Sequence, residues 1–470
     1  MTAPSILWLR PAHRRWGTAA QVAAGAGGPG GAAAAGPVIP VFILDDDTPK
    51  HRRMGAASRW WLHHSLASLD ASLREMGSRL ILRRGKCEEQ LALIVQESGA
   101  STVHCLRHYE PWWRNAEKAV AKRLDLQCHD GNYLLPPGSL TTGSGTPYKI
   151  YTPFWRALKE HMPPPSPSNR PREIAAPDKW PASDTLADWH LLPTKPDWAT
   201  GFAAEWEPGE AGARKRIAAF ADEAADYDRG RNLPSQEGSS RLSPHLHFGE
   251  VSPATIWHRT ADAGGSVDVF LGEIGWRDYA QNIILQFPDY GARSARAAFD
   301  DALPWRSAAA ADADLAAWQQ GRTGYPIVDA GMRQLWVTGW MHNRVRMIAA
   351  SFLIKHLLID WRQGEQWFWD TLVDADYASN AVNWQWVAGS GVDSNMFPRI
   401  MAPLTQSEKF DAAAYIRQWV PELAVLSEPA IHDPESFGQR PRSYPAKIIG
   451  HREARERALA AYDVMKARGN

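Results

Sequence analysis

The stretch DADYASNAVNWQW, residues 374–386, decides the fold because it combines groups that neither an ordinary core nor an ordinary surface would carry together. It places two carboxylates, an amide and two tryptophans within about four helical turns at 3.6 residues per turn. An earlier stretch, GWMHNRVRM at residues 339–347, repeats the mixture of aromatic, amide and guanidinium groups. Such a mixture suits a large, flat, partly polar ligand, so the two stretches predict two helices that close on one cofactor.

Both aspartates of the first stretch also have simpler readings. Asp374 and Asp376 could form a capping pair or bind a divalent metal, and the tryptophans could be ordinary core. Other motifs argue against these alternatives. YDRGRN at residues 227–232 is followed by EGSSRLSP at residues 237–244, a Gly/Ser turn that opens a helix and offers free N–H groups and hydroxyls to a phosphate. The set is completed by EIGWRDY at residues 273–279 and FPRI at residues 397–400.

Short apolar runs alternate with helical patterns from Ser5 to about residue 130, which predicts a parallel, doubly wound α/β sheet. The predicted strands are 6–9, 38–44, 79–82, 102–106 and 124–128, and the predicted helices are 57–76, 87–97 and 113–123. GAGGPG at residues 25–30 matches a dinucleotide-binding fingerprint by its letters. We reject that reading because the match does not directly follow the first strand and has a proline where the helix should begin.

The remainder of the chain divides into a connector and a helical region. Residues 132–205 have no sustained period and contain MPPPSP at 162–167, which predicts a long connector over the surface with one short helix at 153–160. Helical patterns follow at 211–226, 253–263, 267–287, 325–338, 343–358, 365–372 and 411–419. We therefore predict an α/β domain over residues 1–131, a connector over 132–205 and an all-α domain over 206–470.

Composition restricts the function further. Lys+Arg and Asp+Glu balance at 52 each, so any affinity for nucleic acid must come from a local patch. Cys87, Cys105 and Cys128 form an odd set without metal-type spacing, which predicts reduced thiols in a cytoplasmic protein and no metal site. No apolar run approaches the length of a membrane span.

These motifs, in this order, resemble the photolyase/cryptochrome family, and most closely its bacterial class I type, which repairs cyclobutane pyrimidine dimers in DNA. The similarity runs from about residue 38 to the C-terminus. It implies a deoxyribodipyrimidine photolyase, a carbon–carbon lyase acting on damaged DNA as a monomer. In this family, blue light excites reduced, anionic flavin adenine dinucleotide (FAD), an electron passes to the dimer, the cyclobutane bonds break and the electron returns. No metal is required.

The resemblance also assigns the cofactor contacts. The all-α domain would hold FAD folded into a U, with its phosphates held by Tyr227, Ser239, Ser240 and Ser243. The ring system would be lined by Asn343, Arg346, Asp374 and Asp376, and Asn380 would face the flavin N5. Physical reasoning agrees with one of these pairs. Arg346 beside Asp374 would be a buried ion pair, which costs desolvation and persists mainly where a cofactor needs a fixed field.

By the same resemblance, the dimer is flipped out of the duplex into a pocket above the flavin. Trp276 and Trp386 would clamp it by stacking, Glu273 would bond a thymine edge, and Met347 would pack on the dimer. Four arginines match phosphate-contacting or rim positions and would supply salt-dependent affinity: Arg231, Arg277, Arg344 and Arg399. A solvated surface charge is the simpler reading for any one of them.

Two further family features concern light and electrons. Trp384, Trp361 and Trp305 correspond to a relay that re-reduces oxidised flavin from the surface. Trp305 is the weakest member because residues 307–314 lengthen the interval that follows it. Family members also carry an antenna chromophore between the two domains, of folate, deazaflavin or flavin type, or none. RHYEPW at residues 107–112 lies near that cleft but does not decide among them.

Three rival functions were weighed. A (6-4) photolyase places histidines near the lesion, whereas the positions after His342 read Asn343 and Met347. A signalling cryptochrome, a blue-light photoreceptor, usually has another residue where Asn380 stands and often a long C-terminal tail. A carboxylate hydrolase built on residues 374–376 would leave the serine turn and the tryptophan series unexplained.

The N-terminus departs from the family pattern between the first strand and Gly36. PAHRRW at residues 11–16 stands where photolyases usually have Asp-Leu-Arg, and Ala/Gly repeats follow. Codons exist for residues 10–16 that, read one nucleotide later, encode Asp-Leu-Arg-Ile-Gly-Asp. We therefore hypothesise a local frame error over residues 11–35, with a divergent surface loop as the alternative.

Overall fold

The computed structural model describes residues 3–10, 36–394 and 397–468. Its N-terminal part contains parallel strands in the order β3-β2-β1-β4-β5. The strands are β1 (Ser5–Leu9), β2 (Val38–Leu44), β3 (Ile81–Arg84), β4 (Thr102–Leu106) and β5 (Leu126–His129). They confirm the predicted doubly wound sheet, while the frame-error hypothesis and the rejected fingerprint both lie outside the described residues.

Burial of the strands explains why apolar runs in the sequence predicted them. All seven residues of β2, VIPVFIL, are buried, as expected for a strand covered on both faces. β3 begins and ends two residues later than predicted, because Arg83 and Arg84 pair with β2 although only Ile81 and Leu82 are buried. Backbone hydrogen bonds define the bounds of a strand, and they do not require apolar side chains. A prediction based on an apolar run therefore misplaces the bounds of an edge strand such as β3. The flanking helices are α1 (Ala56–Glu75), α2 (Cys87–Ser98) and α3 (Pro111–Ala121).

The connector is more deeply packed than predicted. It contains α4 (Tyr151–Lys159), a 3-10 turn at Leu186–Trp189 and α5 (Phe202–Glu205). Phe154, Trp189 and Phe202 are each at most 4% exposed, so the segment does not simply lie over the surface. Irregular backbone can still bury isolated aromatic side chains, and their aperiodic spacing concealed this.

The C-terminal region is helical, as predicted. Its helices are α6 (Glu210–Ala221), α7 (Tyr227–Gly230), α8 (Ser243–His247), α9 (Pro253–Thr260), α10 (Val267–Gln286), α11 (Ala298–Asp301), α12 (Ala308–Gln319), α13 (Pro326–Thr338), α14 (Asn343–Ser351), α15 (Trp361–Thr371), α16 (Tyr377–Ala388), α17 (Pro403–Lys409), α18 (Ala413–Trp419) and α19 (His451–Arg468). Shorter 3-10 segments are Lys50–Arg52, Ala224–Asp226, Ala261–Ala263 and Pro421–Leu423. The single helix predicted at 343–358 changes to a π-helix at Phe352–His356.

α16 lies between two hydrophobic cores and therefore organises the helical region. Its residues Tyr377 and Ala381 belong to the core built around α10, whereas Trp384 and Val387 belong to the core built around α13, α14 and α15. Both cores therefore fix the orientation of this helix and of the polar residues before it. Within the described ranges, no helix combines the length and apolar character needed to cross a membrane.

Candidate functional site

Asp376 is the N-cap of α16. Its carboxylate accepts the Ser379 N–H at 2.8 Å, so the simpler capping reading holds for this residue. Burial opposes ionisation of Asp376, but the His247 imidazole, 3.8 Å away, and the Ser379 N–H outweigh it and hold the pKa well below the usual range. Asp376 therefore remains a carboxylate at the start of the helix.

Asp374 lies just before the cap and joins two other predicted cofactor residues. Its Oδ2 accepts a hydrogen bond from Ser243 Oγ at 2.7 Å and forms an ion pair with Arg346 Nη2 at 3.0 Å. The guanidinium is held from behind, since its Nε donates to Met341 O at 2.8 Å. Among the described residues, the buried Oδ1 of Asp374 has no hydrogen-bond partner. The predicted ion pair is thus present, with one oxygen left to accept from a ligand.

His342, which sequence reasoning did not assign, is the N-cap of α14 and accepts the Arg344 N–H at Nδ1. Burial, together with nearby Arg344 and Arg346, lowers its pKa to about 4, so the ring is neutral at neutral pH. Its Nε2 is buried and lacks a partner in the described part of the chain. Arg241 contributes further positive charge and stacks on Trp340 at 4.8 Å. Such a cationic wall suits a phosphate-bearing ligand.

Two glycines bring the tyrosine motif to the serine turn. A Cβ on Gly238 would lie 2.3 Å from the carbonyl carbon of Gly230, so the two backbones can touch only without side chains. The ring of Tyr227 packs on Phe270 with centroids 5.2 Å apart. In the turn, Ser240 Oγ accepts the Leu242 N–H at 3.4 Å. The helix that follows is only α8, five residues long, so hydroxyls and nearby arginines outweigh any helix dipole here.

The predicted lesion-facing residues form a second group. Glu273 Oε1 lies 2.5 Å from Arg231 Nη1, and both side chains are partly exposed. Trp276, one helical turn along α10, is half-buried. Arg344 donates to Asn232, which adjoins Arg231 in sequence. The predicted glutamate, tryptophan and two of the four arginines are therefore clustered.

Met347 and Trp386 are the remaining two residues predicted to contact the lesion. Arg344 Nη1 lies 3.7 Å from Met347 Sδ, which connects Met347 to the arginine cluster. Trp386 is half-buried and packs against the core that contains Trp384, whereas Trp276 packs against the α10 core. The two predicted clamp residues therefore belong to different cores.

The other two predicted DNA-binding arginines, Arg277 and Arg399, each have a hydrogen-bond contact within the protein. Arg277 donates to Asn132 O, and its guanidinium lies 4.5 Å from the centre of the Tyr133 ring. The connector therefore holds part of this guanidinium, and the DNA-binding role of Arg277 stays a proposal. Arg399 is exposed, and its carbonyl oxygen accepts a hydrogen bond from the buried Lys355 Nζ at 2.8 Å. The DNA-binding role of the Arg399 side chain stays a proposal.

The three predicted relay tryptophans lie in or against one core. Trp384 packs onto α15, because a Cβ on Gly364 would meet its ring at 2.2 Å. Trp361 begins α15 and is fully buried, with Nε1 donating to Ser294 Oγ at 3.2 Å. Trp305 is half-buried, as a terminal member near the surface would be. Their electron-transfer role remains a proposal.

A cavity lies at the carboxyl ends of β1, β2 and β4, where ligands bind in open α/β sheets. Residues from both domains line it, including Asp45, His108, Glu110, Trp112 and Tyr377. Three of them come from the RHYEPW segment predicted to lie near the interdomain cleft. Burial, and next to it the Asp376 carboxylate, raises the pKa of Glu110.

Two of the three cysteines form a cluster with a glutamate. Cys105 and Cys128 face each other across β4 and β5, with Sγ atoms 3.6 Å apart, and the Glu117 carboxylate lies within 4.8 Å of both. Arg10 Nη2 lies 2.6 Å from Glu117 Oε1 and 3.5 Å from Cys105 Sγ. The guanidinium already supplies a cation to this cluster, and we assign no metal to it.

Known proteins resemble this chain along most of its length. Residues 270–464 match the FAD binding domain of DNA photolyase, and residues 5–172 match the DNA photolyase domain. A deoxyribodipyrimidine photo-lyase from Agrobacterium fabrum is 46% identical, with 99% of this chain and 98% of the relative covered.

Two solved structures share the fold. The class III photolyase from Agrobacterium tumefaciens has a TM-score of 0.92 and 45% identity, covering 99% of this chain and 98% of its own. The archaeal photolyase from Sulfolobus tokodaii, solved with two FAD molecules, has a TM-score of 0.83 and 27% identity, covering 98% and 99%.

Proposed function

Because this chain belongs to the DNA photolyase/cryptochrome family, we propose that it repairs cyclobutane pyrimidine dimers in DNA by light-driven electron transfer from reduced, anionic FAD. Its enzyme class is deoxyribodipyrimidine photolyase. The expected class I subtype is not supported, since the solved relative at 45% identity is a class III photolyase. We propose class III affiliation instead, and action as a cytoplasmic monomer.

The residues around α16 fit a flavin nucleotide. Two buried polar atoms, Asp374 Oδ1 and His342 Nε2, have no partner within the described ranges, and a bound cofactor could satisfy both. The side chains of Ser243 and Asn343 are accessible beside them. We propose that FAD is held by Tyr227, Ser239, Ser240, Ser243, Asn343, Arg346, Asp374 and Asp376, with Asn380 at the flavin N5.

One observation carries the repair assignment: Glu273, Trp276 and Arg231 form a partly exposed group that offers a carboxylate, an aromatic face and a positive charge together. A flipped-out dimer needs all three, because it presents polar base edges, flat surfaces and a phosphate backbone. Met347 and Trp386 would complete the pocket. Arg277, Arg344 and Arg399 would hold the backbone.

In this arrangement the bound flavin would supply the electron, and the protein would position the dimer and shield it from water. Stacking by Trp276 and Trp386 holds the dimer and excludes water from the bonds that break. Glu273 accepts a hydrogen bond from a thymine N–H. Its ion pair with Arg231 fixes the position of that carboxylate. Trp384, Trp361 and Trp305 would pass electrons from an external reductant to the flavin when it has been oxidised.

We also propose that the interdomain cavity holds the antenna chromophore. Its lining combines aromatic and polar side chains from both domains, as small-molecule sites do. Trp112 offers a flat apolar surface, and Arg52 and Asp45 also line the cavity. The Sulfolobus tokodaii protein was solved with two FAD molecules, which supports the flavin among the three candidate types.

The test is light-dependent loss of thymine dimers from a defined oligonucleotide, with bound pigments identified after denaturation. Dimer loss under blue light by flavin-loaded protein, and none in darkness, is the expected result. A parallel oligonucleotide carrying a (6-4) photoproduct separates the two repair activities. Flavin-loaded protein that repairs neither lesion would instead indicate the cryptochrome-type photoreceptor.

A further inference from the structure

The amide of Asn380 is held in one orientation. Its Nδ2 donates to Glu365 Oε1 at 2.9 Å and to the Glu365 carbonyl oxygen at 3.0 Å. A carboxylate and a carbonyl only accept, and an amide nitrogen has only two hydrogens to give. Both donors of Asn380 are therefore used within the protein. Only its Oδ1, an acceptor, can face a ligand.

Glu365 is in turn held by a residue from the N-terminal part of the chain. Arg52 Nη1 lies 2.7 Å from Glu365 Oε1 and 2.8 Å from Oε2, and the two side chains are 7% and 0% exposed. Arg52 also donates to Gly291 O and lies 5.2 Å from the centre of the Tyr377 ring. The ion pair therefore links the α/β domain to α15 and α16.

The charge of Glu365 depends on this partner. Burial raises the pKa of Glu365, while Arg52 and the Asn380 amide oppose the increase. Without Arg52, the carboxyl would be a buried charge lacking a counter-ion, and it would take up a proton. Its O–H would then donate to Asn380 Oδ1. The amide would have to rotate and turn Nδ2 toward the cofactor.

We propose that Arg52 is a positioning residue for the flavin: through Glu365, it keeps Asn380 Oδ1 facing N5. This inference rests on the proposed function, which places the flavin N5 at Asn380. Reduced flavin carries a hydrogen on N5, whereas oxidised flavin has only a lone pair there. An acceptor at this position therefore stabilises the reduced flavin that repair needs, and a donor would stabilise the oxidised form.

Glu365→Gln is the sharpest test because it changes shape least. The Gln oxygen would accept from Arg52, so the Gln Nε2 hydrogens would face Asn380 and favour rotation of its amide. Arg52→Met removes the counter-ion with similar side-chain length, and Arg52→Lys restores a cation. Arg53→Met is the matched control, since Arg53 is adjacent but exposed.

The measurement is the midpoint potential of the bound flavin, titrated anaerobically in darkness without DNA. We expect Glu365→Gln and Arg52→Met to shift the oxidised-to-reduced ratio at least tenfold toward oxidised, about 30 mV for two electrons. Arg52→Lys should recover part of the shift, and Arg53→Met should show none. A role confined to packing would lower the melting temperature without moving the potential.

The outcomes separate the two proposals. Wild-type protein that binds no flavin would refute the proposed function. Flavin-loaded wild type that repairs dimers, together with an unchanged potential in Glu365→Gln, would refute the positioning role alone. If Arg52→Met fails to fold, Glu365→Gln still decides, because it retains Arg52 and adds no volume.

Discussion

Tyr151 lies flat against Trp276, with ring centroids 3.6 Å apart and planes inclined by 11°. The tyrosine hydroxyl donates to Gly272 O at 2.6 Å, which ties it to α10 one turn before the tryptophan. Trp155 stacks on Tyr151 at 6.4 Å, and only a glycine at 275 leaves room for it, since a Cβ there would lie 2.5 Å from the Trp155 ring. Tyr151 thus covers one face of the proposed lesion clamp and leaves the other for the substrate.

We expect Tyr151→Leu to weaken binding of dimer-containing DNA several-fold while flavin content is unchanged. An aromatic pair contributes about 0.5–1.5 kcal/mol beyond its buried area, and without it Trp276 can leave its stacking position. Equilibrium binding to damaged and undamaged oligonucleotides measures the effect. Tyr151→Phe keeps the stack and should bind as wild type. Equal affinity in the Leu variant would contradict the support role.

Trp386→Ala and Glu273→Ala should retain flavin but lose repair. Stacking on a base contributes about 1–3 kcal/mol, and a hydrogen bond to a charged group contributes about 1.5–3 kcal/mol. Dimer loss per absorbed photon, measured on chemically reduced protein, reports the change. Trp180→Ala, in the connector, is the control and should repair normally. A Trp386→Ala protein that repairs at the wild-type rate would refute the clamp assignment.

Arg344→Gln and Arg399→Gln should weaken binding to damaged and undamaged DNA alike. A phosphate contact carries no sequence or lesion information, so each loss should reduce the slope of log K against log salt by about 1. Arg74→Gln is the control, since its exposed side chain pairs with Asp70 on α1. Selective loss for damaged DNA would argue that the arginine contacts the lesion itself.

Trp384→Phe should block photoreduction of oxidised flavin yet leave repair by chemically reduced enzyme nearly intact. Trp318→Phe is an informative control because Trp318 lies 6.4 Å from Trp384 but is outside the proposed relay. Photoreduction is measured by flavin absorbance under blue light with an external reductant, and repair is measured by dimer loss. Normal photoreduction in Trp384→Phe would direct attention to Trp340 or Trp369.

Asp278 should make the protein less stable as pH rises from about 4 to 7. Burial raises its pKa to about 7, against an unfolded value of about 3.9, so the folded state binds the proton more tightly across that window. Asp278→Asn removes this titration and should flatten the dependence, with a gain at pH 8 bounded by about 4 kcal/mol. Denaturant unfolding from pH 5 to 8 measures it. Asp289→Asn, at an exposed site, should show the same pH dependence of stability as the wild type. An Asp278→Asn curve that runs parallel to the wild-type curve would contradict the assignment.

The local sequence pattern by itself determined several features of this protein: a strand, an ion pair and the family. A continuous apolar run specified β2, because a strand buried on both faces needs apolar side chains at every position. The carboxylate and guanidinium in residues 339–347 and 374–386 predicted the Arg346 and Asp374 pair, which the structure contains. The order of the motifs was sufficient to identify the family, since each motif carries its own chemistry.

Tertiary structure alone decided which partners those groups found. Arg52 and Glu365 are 313 positions apart, and nothing local distinguishes Arg52 from the exposed Arg53. Arg277 looked like a rim arginine but is engaged by the connector, and Tyr151 belonged to a connector without periodicity. Periodicity reports which face of an element is buried, whereas the choice among similar side chains depends on distances set by how the domains pack. For that reason the sequence predicted the residue types of the site, while the structure determined which atoms each one contacts.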